Sequence, residues 1–228
     1  MSKLGAFVRL DFMTVKPYFS SKNMLVYTSL AVYFAIVSGN IGSSIGIGLM
    51  LATMNIGYPF ALGEKNNMDA LYTTIGADKK TVVMGRYIFS LLLNVGAVLF
   101  MAVFWYITSA IMNSLGDFEG ILADTVGATL ALSAVFVFVQ SIQIPMFFKF
   151  GYARARFFTV FPLLMFSALV TSFIMNAQGN GLPDSVNLLV QDIMNNAWAI
   201  GAILITVLAV VVFISYKLSL AFYMKREF

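Results

Sequence analysis

The chain has 228 residues, 60% of them hydrophobic and 11% charged, with a mean hydropathy of +0.88. At about 20 residues per crossing, this apolar share supplies about six or seven membrane spans and little else. A soluble domain carries about 25% charged residues, and a core of this size could not hide so much apolar surface. Disorder is excluded on the same ground. Cysteine and histidine are both absent, which removes disulfides, thiolate nucleophiles, Cys/His zinc sites, His-ligated haem and a Ser-His-Asp triad. The net charge of +4 could suggest a nucleic-acid partner, but its distribution along the chain speaks for membrane orientation instead.

In chain order, residues 1–22 carry Lys3, Arg9, Lys16 and Lys22, opposed only by Asp11. Leu4, Phe7, Val8, Asp11 and Phe12 follow helical spacing, with Asp11 at the edge of an apolar face. This predicts a helix lying in the headgroup region and ended by Pro17. Six spans follow, at residues 24–37, 45–62, 87–111, 125–148, 157–175 and 197–216. Gly42-x-x-x-Gly46, running from the turn before the second span into its start, permits close helix approach. Asn55, Gly57 and Pro59 could break that span, while Pro145 and Pro162 should kink or end helices.

With six crossings, all 14 Lys and Arg residues fall on one side: the N-terminus, the segment 64–86, the loop 149–156 and the tail. The other side holds only acids, namely Asp117, Glu119, Asp124, Asp184 and Asp192. Basic loops stay cytoplasmic, so both termini are expected inside. The fold class is therefore all-α: a single polytopic transmembrane domain over 1–228, six membrane helices and an N-terminal interfacial helix.

No charged residue falls clearly within a span; Arg86 and Asp124 sit at predicted borders. Charges at membrane depth cost about 2.5–3.5 kcal/mol, and ion-coupled carriers often accept that cost. Their absence lowers a proton-driven carrier, a charged-ring channel and an intramembrane enzyme. No catalytic residue and no metal ligand set is identified. The polar residues inside spans are Asn55, Asn94, Gln140 and Gln143. In hydrocarbon each needs a partner, so they either join helices or line a translocation route.

The segment 64–86 has internal order. Met68, Leu71, Tyr72 and Ile75 form one apolar stripe on a two-turn helix, with Asn67 placed to cap it and Gly76 to end it. Ala77, Asp78, Lys79 and Lys80 then turn the chain into span three. A short helix lying flat between two spans is suited to pass force from a docked partner.

The run YPFALGEKNNMDALYTTIGADKKTVVMGRYIFSLL, from Tyr58 to Leu92, resembles the corresponding segment of small ABC-2 type permease subunits. There an acidic residue follows span two, a Leu-Tyr-(Ser/Thr)-(Leu/Thr) helix comes next, and a basic turn leads to (Val/Met)-x-(Gly/Ala)-(Arg/Lys)-Tyr opening span three. Glu64, Leu71, Tyr72, Lys79, Lys80, Val83, Gly85, Arg86 and Tyr87 occupy those positions. Thr74-Ile75-Gly76 departs from the Leu-Pro pair of many relatives. Within that family the chain is similar to small bacterial exporters of amphipathic peptides, such as those for phenol-soluble modulins.

The resemblance implies a permease of the bacterial plasma membrane, paired with a second copy or a paralogue, exporting an amphipathic or hydrophobic substrate. A cytosolic ATPase subunit would dock on Glu64, Asp69, Leu71, Tyr72, Lys79 and Lys80. ATP and Mg would sit on that subunit, since Gly76, Lys79, Lys80 and Thr81 have the wrong spacing for a phosphate-cradling loop. Besides these proteins the expected partners are membrane lipids, not nucleic acid. A scaffold, or an immunity protein against a peptide toxin, is the alternative that needs no ATPase.

Overall fold

The computed structural model describes residues 3–38, 55–74, 77–112, 119–155, 157 and 197–226. Spans two and five, the Gly42-x-x-x-Gly46 stretch, Ile75, Gly76 and Pro162 lie wholly or largely outside these residues.

The described residues are almost entirely helical: α1 (Lys3–Val15), a 3-10 turn (Lys16–Phe19), α2 (Ser21–Ser38), α3 (Tyr58–Lys65), α4 (Met68–Thr74), α5 (Lys79–Met112), α6 (Glu119–Phe150) and α7 (Ala197–Met224). Among them, three helices are long and apolar enough to cross a membrane: Lys79–Met101 in α5, Leu132–Phe150 in α6 and Gly201–Met224 in α7. The α5 window is 50% buried against the other elements and that of α7 only 11%. Thus α5 is the central post, whereas α7 turns Ile203, Ile205, Val207 and Phe213 outward. α2 occupies the place expected of span one but is not among those three.

Several boundaries move. The helix of span three begins at Lys79, about two turns before residue 87. Lys79, Lys80 and Arg86 look like loop residues in one dimension, yet each is accommodated. The Asp78 carboxylate accepts the backbone N–H of Lys80 at 3.2 Å, an N-cap for the first turn. The last helix runs on to Met224, past residue 216, because Leu220, Phe222 and Tyr223 still pack inward. α6 begins at Glu119, before residue 125. Pro145 lies inside α6 without ending it. Near the end of span two a turn at Gly57 separates Asn55 and Ile56 from α3, which carries Pro59 in its first turn.

The N-terminal helix differs most from its expected pose. Its buried ridge is Phe7, Asp11 and Val15, spaced by four and exposed by 8%, 1% and 0%. Asp11 is therefore at the centre of the packed face, not its edge, and Phe12 is the partly exposed residue. α1 lies against α5 where Gly85 permits close approach. A Cβ on Gly85 would come within 2.6 Å of the Phe7 ring. Pro17 sits in the first turn of the 3-10 segment that links α1 to α2.

The Gly85 contact predicts that Gly85→Ala forces α1 off α5 and costs about 1–3 kcal/mol of stability, the range for overpacking. Gly96→Ala, where a Cβ meets nothing within 4 Å, should be neutral or stabilising by about 0.5–1 kcal/mol. Thermal unfolding of both purified variants in one detergent compares them directly.

Candidate functional site: a polar clasp at the basic end

The α3–α4 hairpin is formed by a chain reversal at Asn66 and Asn67. Asn67 takes a left-handed φ of 47°, a conformation Asn tolerates better than most residues. On α4, Tyr72 points inward and is 7% exposed, whereas Leu71 points outward at 46%. The apolar stripe read from sequence is therefore split: Met68 and Tyr72 pack, Leu71 does not.

Four contacts tie this hairpin to the rest of the chain. Tyr72 meets Phe7 of α1 edge-on, ring centroids 5.0 Å apart. Phe7 in turn lies 5.5 Å from the Arg86 guanidinium, whose other neighbour is the Phe60 ring of α3 at 4.8 Å. Arg86 is 4% exposed and forms an ion pair with Asp11 at 2.7 Å. These five side chains join α1, α3, α4 and α5 around one buried cation.

The second contact uses Glu64 at the end of α3. Its Oε2 accepts backbone N–H groups of Tyr152 at 2.6 Å and Ala153 at 3.2 Å. The approach is possible because α6 ends on Gly151 with φ +76°, the left-handed C-terminal position that favours glycine. A side chain there would also press on the Glu64 carboxylate, with its Cβ 3.1 Å from Oε2.

The third and fourth contacts reach the end of α7. Asp69 accepts the Tyr223 hydroxyl at 3.0 Å and lies 3.7 Å from the Arg226 guanidinium. Lys79 donates to the carbonyls of Arg226 at 2.8 Å and Met224 at 3.3 Å, serving as a cationic cap on a helix C-terminus. Under the hairpin lies a polar cavity of about 500 Å³, walled by Glu64, Asp69, Arg86, Arg154, Tyr223 and Arg226.

Further along the helices, a second polar layer joins α5, α6 and α7. The Tyr87 hydroxyl is shared with Ser215 at 2.5 Å and Ser219 at 2.8 Å, and Ser215 donates to the Ser141 carbonyl at 2.5 Å. Beyond it, Asn94 and Gln140 exchange two amide hydrogen bonds of 2.5 and 2.8 Å, closing a ring across α5 and α6. Gln143 and Asn55 are also buried, at 7% and 2%.

Of the residues expected to meet an ATPase, Glu64, Asp69, Tyr72 and Lys79 are thus engaged within the chain, while Leu71 and Lys80 face outward. Sequence reasoning missed Asp11, Phe7, Arg86, Tyr223 and Arg226 as members of the site. Two signals pointed to them. Asp11 is the lone acid inside an apolar helical stripe, and Arg86 is flanked by Val82, Val83 and Phe89, all buried.

Burial pushes the Asp11 carboxyl up from 3.8 to about 6, against the opposing pull of Arg86. Burial likewise raises the Tyr72 phenol. Because the folded pKa of Asp11 lies above its unfolded value, folding favours the protonated acid. That contribution is complete below about pH 4 and is lost as pH rises through about 6. Melting temperatures of the wild type should therefore carry a downward step between these values that Asp11→Asn lacks. Parallel thermal scans across that range, on both proteins, measure it.

The comparison with family models matches the chain over residues 7–224 to one described as ABC-2 family transporter protein. No curated protein and no solved structure matches the chain. The match takes in every helix described above, from the buried face of α1 to the end of α7, and the family is that of membrane permease components. The chain belongs to the ABC-2 family of transporter proteins.

Proposed function

We propose that this chain is the permease subunit of an ATP-driven exporter and that its α3–α4 hairpin receives a separate cytosolic ATPase. The observation that carries the reading is the two-sidedness of that hairpin. Its inner side is fastened to α1 and α5 through Tyr72, to the end of α6 through Glu64, and to α7 through Asp69. Its outer side leaves Leu71, Lys65 and, at the start of α5, Lys80 exposed. A push on the outer side is therefore delivered to three membrane-crossing helices at once.

The basic segments meet at this end, and we read it as the cytoplasmic one, in a bacterial plasma membrane, because Lys- and Arg-rich segments stay on that side. In this reading the ATPase holds ATP and Mg. A second copy or a paralogue completes the pathway, and the cargo is an amphipathic or hydrophobic molecule; the resemblance to modulin exporters favours a peptide. Glu64, Asp69 and Tyr72 hold the lever to the helices, and Lys79 ties the start of α5 to the end of α7. Leu71 and Lys80 form its contact with the ATPase.

The test begins with the P-loop ATPase recovered with the tagged protein from its native membrane. Leu71→Asp combined with Lys80→Glu should weaken stimulation of that ATPase at least about tenfold, the loss expected for a central interface contact. Thermal stability should stay within about 0.5 kcal/mol of the wild type, since both positions are exposed. Unchanged stimulation in the double variant, or no ATPase recovered even after crosslinking, would overturn the proposal.

A further inference from the structure

A second cavity, of about 360 Å³, lies away from the clasp between α1, α2 and α5. Phe12 and Phe19 bound one end, Tyr27 and Ala31 form the α2 wall, and Gly96 and Phe100 form the α5 wall. The volume lies within the range of small-molecule sites, about 300–1,000 Å³. Three side chains with polar atoms line it, Tyr27, Thr28 and Asn55, and the Thr28 hydroxyl is already bonded to the Met24 carbonyl at 2.7 Å. Gly96 faces open space on the α5 wall. A Cβ built there meets nothing within 4 Å.

Between Phe12 and Phe19, which bound one end of the groove, the chain carries a cation, Lys16, that does not itself line the cavity. Lys16 is four residues after Phe12 and three before Phe19 in the 3-10 turn, where residues i and i+3 eclipse. It therefore shares the face of the two groove phenylalanines. It is exposed, and no carboxylate lies within 4.0 Å of it among the described residues. The apolar walls thus run along a membrane-crossing helix, and helical spacing puts an exposed lysine next to their Phe12 and Phe19 end.

The geometry points to a bound anionic phospholipid, its acyl chain lying in the α1–α2–α5 groove and its headgroup phosphate facing Lys16. An α-helix is about 10 Å across, so neither a helical peptide nor a helix of a second copy fits a space of this volume. A single acyl chain does, and the surrounding bilayer supplies one. The inference needs only a membrane-embedded chain and is independent of the ATPase reading.

The full chain, purified and equilibrated with vesicles of equal phosphatidylglycerol and phosphatidylcholine, would be examined by native mass spectrometry for retained lipid. Wild type and Gly201→Phe should both hold a phosphatidylglycerol; Gly201 is a glycine of α7 with equally open space around it. Gly96→Phe should retain at least tenfold less, with Gly96→Leu as the second variant if the larger ring disturbs folding. Lys16→Gln should keep a lipid but lose about fivefold of its preference for phosphatidylglycerol, the share of one basic residue at an anionic surface. Retention in both Gly96 variants equal to that in Gly201→Phe overturns the site. Unchanged lipid preference in Lys16→Gln overturns the headgroup assignment. Undiminished lipid with lost peptide binding in the Gly96 variants makes the groove a cargo site instead.

Discussion

The ion pair between Asp11 and Arg86 sets the terms for the architecture around it. Both side chains are removed from water, 1% and 5% exposed, and each pays a desolvation cost that their mutual attraction offsets only with good geometry. Asp11 Oδ2 and Arg86 Nε have no hydrogen-bond partner among the described residues. The pair is therefore only partly satisfied by hydrogen bonds. Its remaining support is the aromatic pair Phe7 and Phe60, on which the guanidinium lies. That requirement draws α1, α3 and α5 together and leaves Tyr72 of α4 a fixed place beside Phe7. A buried pair of this kind adds little net stability over an apolar replacement, but removing one partner alone is strongly destabilising.

From this centre the polar contacts fall into layers. The clasp layer has carboxylates on backbone N–H groups, hydroxyls and cations; the Tyr87, Ser215 and Ser141 layer is neutral; the Asn94 and Gln140 layer is a single amide ring. Charge, including the buried pair of Asp11 and Arg86, is thus concentrated at the clasp end, and the polar layers described further along the helices are uncharged. This is the order that the cost of charge at membrane depth demands. It also makes α5 the element through which hairpin, N-terminal helix and α7 act on one another. Arg86, Tyr87 and Asn94 all lie on it, each directed at a different partner.

Much of this was legible in the sequence. The all-helical membrane class followed from composition, and the contacts that join the N-terminal helix, the hairpin, the end of α6 and the tail agree with the expected grouping of the basic segments. The short helix α4 was visible in the Met68 and Tyr72 spacing, with Asn67 read as its cap, but its pairing with α3 as a hairpin was not. What escaped were the pairings. A lone Asp in an apolar stripe looks like an interfacial residue when nothing indicates that an arginine 75 positions on will lie against it. Helix ends also moved, because Lys79 and Arg86 count against a helix by hydropathy yet are neutralised by carbonyls and a carboxylate from distant segments. Asn94 and Gln140 were recognisable as needing partners, but helix-period arguments cannot say that they are each other's.

The claim most exposed to test is that Asp11 and Arg86 act as a coupled pair. A double-mutant cycle on the purified protein, read as thermal stability at pH 7, isolates that coupling. Arg86→Met alone strands a buried carboxylate and should cost about 3–5 kcal/mol. Adding Asp11→Asn should recover a substantial part of that loss, so the double variant is more stable than Arg86→Met. Simple additivity of the two single effects would contradict the account, leaving Arg86 as a packing residue between two rings and Asp11 as an incidental neighbour.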